Sequence, residues 1–171
     1  MFPVSPRVTL SRFAFVFVAL AATGCALVLG SSASAQGPTT LTFKELNKGS
    51  TFDFVDQAPL SKGKGEPSAS AGDLIVFTNP LADRTGKPVG RLYVHCTALV
   101  AAKSASKAPY ACEGVLTLAG GTLSVQTFLA HAGVTVHGMV TGGTGSYANA
   151  RGTLQSQPTK TGADDTITFA A

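Results

Sequence analysis

Apolar and polar residues alternate in short runs through most of this chain, and glycine closes each run. From Gly72 onward the runs read GDLIVFTNPL, VGRLYVHCTALV, GTLSVQTFLA, GVTVHGMVTGGTGSYANARG and DDTITFAA. A period of two with no sustained 3.6-residue period predicts strands, not helices. The pattern places strands near 41–47, 51–55, 73–79, 88–100, 109–119, 121–130, 134–141 and 150–157, with a ninth near 165–170. Gly49 and Ser50 stand between the first two, which reads as one bent strand. Successive strands are close in sequence, so the expected fold is all-β: an eight-stranded antiparallel up-and-down barrel. A barrel of that size has room inside for one small ligand.

The pattern also sets a register. Placing Cys96 opposite Cys112 centres a hairpin on Ser104, inside the polar loop from Lys103 to Lys107. Ala98 then meets Tyr110, Val94 meets Gly114 and Leu92 meets Leu116, so one face is consistently apolar. The pair reads as a disulfide closing a loop worth about 3 kcal/mol; the alternative is a reactive thiol at Cys96. Gly120 and Gly121 predict a two-residue turn, with Leu118 facing Leu123 and Leu116 facing Val125. Residues 57–71, rich in Ser, Gly, Lys and Pro, read as a mobile surface loop.

The N-terminus belongs to a different class. Arg7 and Arg12 precede an apolar stretch from Phe13 to Leu29, and an Ala-x-Ala exit ends at Ala35. This is the pattern of a secretory signal peptide over residues 1–35, leaving one domain over 36–171. The alternatives are a retained membrane anchor or lipidation at Cys25. Export agrees with a disulfide in the mature chain. No membrane association is expected after cleavage.

Charge narrows the partners. The formal net charge is +4, and removal of Arg7 and Arg12 brings the mature segment nearer neutrality. There is no basic run and no aromatic-basic ladder, so nucleic acid is not an expected partner. His131 and His137 lie six residues apart; on one strand that would be roughly 20 Å, too far to share an ion. His95 has no ligand pattern around it. No metal and no cofactor are expected. The glycine-rich stretch from Gly142 to Gly145 leads into another strand and reads as a turn, since a phosphate cradle needs a helix N-terminus after it. There is no Gly-x-Ser-x-Gly elbow for a hydrolase.

Glu45 carries the chemistry. Strand parity puts Leu41, Phe43, Glu45 and Asn47 on one face. The acid therefore shares the inward apolar side, with Asn47 about 7 Å further along. A carboxyl in that setting needs a donor or a proton. That suits a general base or an electrostatic stabiliser; the alternative is a solvated acid at the barrel mouth.

Several segments resemble the allene oxide cyclase barrel-like superfamily, which includes the plant dirigent proteins. Gly72 to Leu81 is similar to the cyclase segment GDLVPFTNKL, Gly121 to Gln126 to GHLSVQ, and Thr141 to Tyr147 to TGGAGIF. Val89-Gly90-Arg91 and Ala150-Arg151-Gly152 resemble the dirigent motifs VGRAQG and GGTGxFxxARG. The resemblance covers nearly all of the mature chain. It implies an eight-stranded barrel with an apolar cavity, often trimeric. It also implies roles for Glu45 and Asn47, which match a cyclase strand reading EIN with a functional Glu and a water-holding Asn. A cyclase cysteine falls on Cys96. The cyclase proline has no counterpart near Phe54, and the ring tyrosine position falls near Leu129. The dirigent aspartates of DDPLT correspond to Thr78 and Asn79.

Two functions follow from these readings. One is a cyclase or isomerase acting on an apolar, oxygenated small molecule, with Glu45 and Asn47 catalytic and Phe43, Phe77, Asn79 and Leu92 as ligand contacts. The other is a non-catalytic, dirigent-like or lipocalin-like binder of a small hydrophobic ligand. Either is compatible with a homo-oligomer, trimer or dimer.

Overall fold

The computed structural model describes residues 37–61 and 65–170; the expected signal segment 1–35 lies outside them. The described residues form nine strands: β1 Thr39–Leu46, β2 Thr51–Val55, β3 Leu74–Ala82, β4 Pro88–Ala98, β5 Tyr110–Leu118, β6 Gly121–Leu129, β7 Val136–Gly143, β8 Arg151–Thr159 and β9 Gly162–Ala170. Every pairing is antiparallel. The sheet runs β1-β9-β8-β7-β6-β5-β4-β3-β2, and β1 returns to β3 to close an eight-stranded barrel. Closure is made where Lys44 faces Ala82 and Glu45 faces Leu81.

β1 and β2 lie end to end along β3, as one strand interrupted at residues 47–50. Gly49 takes φ +82° there, and Ser50 donates both its N–H and its hydroxyl to the Asn47 carbonyl, at 3.2 and 2.7 Å. β2 pairs with β3 from Thr51 opposite Thr78 to Val55 opposite Leu74.

Alternation sets inside from outside. On β5, Tyr110, Cys112, Gly114 and Leu116 are buried, whereas Ala111, Glu113 and Val115 are exposed. The register expected across β4 and β5 is present, with Cys96 opposite Cys112, Ala98 opposite Tyr110, Val94 opposite Gly114 and Leu92 opposite Leu116. Cys96 and Cys112 are bonded. The β5–β6 hairpin differs from expectation by two residues, because Leu118 faces Gly121 and Leu116 faces Leu123. The turn is Ala119-Gly120. Gly121 belongs to the strand at φ +137°, and a Cβ there would lie 2.2 Å from the Thr144 carbonyl oxygen. The β7–β8 loop packs where a turn would otherwise project.

Two apolar clusters fill the ends of the barrel. One gathers Phe43, Leu81, Leu116, Leu123, Ile167 and Phe169, with Tyr147 edge-on to Phe169 at 5.9 Å. The other gathers Cys96, Ala98, Ala108, Tyr110 and Cys112, and the Tyr110 hydroxyl donates to the Ala105 carbonyl at 2.9 Å. The described parts of 57–71 are tied against this second end. Asp73 is fully buried and accepts the N–H groups of Gln57 and Ser70, at 2.7 and 2.6 Å. Ala69 and Ala102 exchange two backbone hydrogen bonds of 2.9 Å. A single buried carboxylate thus satisfies both backbone donors.

Candidate functional site

Between the two clusters the barrel encloses a cavity of about 110 Å³. Its apolar wall includes Phe77, Leu92, Val94, Leu129 and Val136, together with the Cys96–Cys112 disulfide. Its polar lining includes Thr127 and, on one side, Glu45, Asp165 and Ser156. The last three come from consecutive strands of the sheet: Glu45 from β1, Asp165 from β9 and Ser156 from β8. Ser156 stands directly opposite Asp165. Asp165 faces Phe43 across the β1–β9 ladder, two residue pairs along from Glu45 opposite Ala163.

The Asn79 side-chain amide donates to Glu45 Oε2. This pairing is a product of barrel closure, since β1 and β3 meet beside Glu45. Asp165 is 3% exposed, and its Oδ1 has no hydrogen-bond partner among the described residues. Burial pushes the Asp165 carboxyl up to about 8, and the Glu45 charge pushes in the same direction; the Ser156 hydroxyl opposes both. At neutral pH Asp165 is therefore mostly a neutral acid. A neutral acid can donate a proton or hydrogen bond, while a carboxylate can only accept.

The sequence-derived site is only partly assembled. Glu45 turns inward. Phe77 and Leu92 line the cavity, and Asn79 reaches Glu45. Phe43 instead packs in the apolar cluster beyond the cavity. Asn47 does not join the site, because β1 ends at Leu46 and Asn47 lies exposed in the turn before β2. Its N–H goes to the Thr161 carbonyl at 2.9 Å. The parity that turned Glu45 inward holds only while the strand lasts. Asn79 supplies the amide next to Glu45 instead.

Sequence reasoning missed Asp165. The signal was present, since Asp165, Ile167 and Phe169 share a parity with two clearly apolar residues. The expected strand begins near 165, whereas β9 begins at Gly162 and places Asp165 within it.

Elsewhere on the barrel, an open groove of about 370 Å³ crosses the outer face over β3–β6. His95 and Glu113 meet there at 3.7 Å, both more than half exposed. Among the described residues, no three metal-ligating side chains gather, and no helix is long and apolar enough to cross a membrane.

Comparison with known proteins places this geometry. The family model described as "Allene oxide cyclase barrel like domain" matches residues 55–168. No curated protein sequence matches the chain. Among solved structures, a pyocyanin demethylase is similar at 23% identity, covering 77% of this chain and 100% of its own, with a TM-score of 0.62. A pterocarpan synthase dirigent protein is similar at 20% identity, covering 77% of this chain and 81% of its own, with a TM-score of 0.53. A Diels-Alderase from Streptomyces koyangensis is similar at 15% identity, covering 82% of this chain and 71% of its own, with a TM-score of 0.51. At these identities the likeness is one of fold.

Proposed function

The chain belongs to the allene oxide cyclase barrel-like family, and from that premise we propose that it binds a small, largely apolar, oxygen-bearing molecule in the barrel and promotes its cyclisation or isomerisation by proton transfer. The observation that carries this reading is Asp165, a buried acid with an unpartnered oxygen, lining a cavity beside Glu45. Asp165 donates a proton to the ligand oxygen. Glu45, oriented by Asn79, accepts a proton from carbon; where it only stabilises positive charge, the ligand oxygen hands its proton back to Asp165. Proton return between the two acids restores the pair, so the reaction needs no oxidant or external base. Positioned acid–base groups of this kind contribute typically about 10²–10⁴-fold, and the apolar walls hold the chain of the ligand in a reactive fold.

A second reading is a non-catalytic binder of the same molecule. The predominantly apolar wall supports it, since Phe77, Leu92, Val94 and Leu129 would retain such a ligand without chemistry. Export through residues 1–35 accompanies both readings and is supported by the Cys96–Cys112 disulfide. Self-association is supported by outward-facing apolar side chains such as Val76, Tyr93, Val115 and Met139.

The test is mass spectrometry of whatever co-purifies with the protein, followed by incubation of that compound with wild type, Glu45→Gln and Asp165→Asn. Conversion by wild type and loss of conversion in both variants, with binding retained, supports the enzyme. Binding without conversion supports the second reading.

A further inference from the structure

β2 is placed unlike the other strands. The β1–β9 ladder stops at Leu46 opposite Gly162, so β2 extends past it. Among the described residues β2 pairs with β3 alone. Its register fixes which way its side chains point. Thr51 faces Thr78 on the outside, where their hydroxyls bond at 3.0 Å. Phe52 and Phe54 therefore take the inner side, opposite Phe77 and Ile75. Phe77 lines the cavity, and Ile75 packs against the cluster holding the disulfide. Inner positions of a barrel are normally its most buried, yet Phe52 is 66% exposed.

The cavity explains what such a residue could serve. At about 110 Å³ it is well short of the ~300–1,000 Å³ of usual ligand pockets. A larger ligand must leave part of itself outside the cavity. Directly opposed strand residues have Cβ atoms about 4.5–5.5 Å apart, so the Phe52 ring continues the Phe77 wall outward.

We propose that Phe52, with Phe54 behind it, is a ledge that binds a flat apolar extension of the ligand, whose ring-sized oxygen-bearing end occupies the cavity beside Glu45 and Asp165. This rests on the cavity being the ligand site and narrows the substrate class to amphipathic molecules longer than one ring. The occupant is the ligand and not a second protein strand, because Phe52 stands opposite Phe77, which lines the cavity.

The test measures binding of phenol and 4-phenylphenol to the purified protein by calorimetry. 4-Phenylphenol should bind at least tenfold more tightly than phenol. Phe52→Ala should weaken 4-phenylphenol about tenfold, in line with the apolar area of a phenyl ring, and leave phenol unchanged. Phe52 is exposed, so the variant should fold, and its circular dichroism and melting should match wild type. Equal weakening of both probes, or of neither, overturns the ledge while leaving the cavity reading intact. A changed sedimentation coefficient in Phe52→Ala without changed affinity also overturns it, by assigning Phe52 to a contact between copies. Failure of phenol to bind wild type overturns the cavity reading itself and this proposal with it.

Discussion

Glu45 and Asp165 reach the same cavity from adjacent strands, two residue pairs apart along the β1–β9 ladder. Two carboxyls so placed cannot both carry charge cheaply, and the more buried one holds its proton.

Stability should therefore fall as pH rises. Asp165 binds its proton more tightly folded, near 8, than at its ordinary value of 3.8. Its contribution is fully present below about pH 4 and is lost as pH rises through about 8, with a slope of at most about 1.4 kcal/mol per pH unit. Asp165→Asn keeps the shape and stays neutral. It should flatten that slope and be more stable than wild type at pH 9. Urea unfolding at pH 5, 7 and 9 checks this; parallel pH profiles for the two proteins would rule it out.

Gly162 should be intolerant of substitution. It takes φ +150°, and a Cβ there would lie 1.8 Å from the Glu45 carbonyl oxygen. Gly162→Ala must push β1 away from β9 at the acid itself. It should cost about 2 kcal/mol or more and weaken ligand binding as well as stability. A melting curve and affinity matching wild type would show that β1 and β9 are not this close.

Asp73 should control the end of the barrel. Asp73→Ala strands the Gln57 and Ser70 N–H groups and should cost about 3 kcal/mol. Limited proteolysis should then cut within 57–71 at protease levels that spare wild type. An unchanged cleavage pattern would mean that the segment is held by other contacts.

Reduction of the Cys96–Cys112 bond should lower stability by about 3 kcal/mol. Intact mass with alkylation before and after reduction gives the thiol count. Two thiols alkylated without reduction would contradict the bond.

The barrel was legible because alternation and glycine turns recur strand after strand, and because the register around Cys96 and Cys112 had to satisfy four apolar pairs together. Glu45 was legible by the same parity. Asn47 was not, since nothing in the pattern marks Leu46 as the last strand residue. Phe43 has the parity of Glu45, but parity does not say how deep in the barrel a side chain lies. Asp165 was hidden because it adjoins exposed Asp164 in a polar run that masks the start of β9. The Asn79 contact was not readable as a contact at all, because barrel closure brings β1 to β3 across a long stretch of sequence.

The most direct measurement is a carboxyl-carbon NMR titration of Asp165 in wild type and Glu45→Gln. A wild-type midpoint near 8, moving clearly downward when Glu45 loses its charge, is the predicted result. A midpoint near 4 in wild type, or one indifferent to Glu45→Gln, would contradict the paired acids on which the proposed chemistry depends.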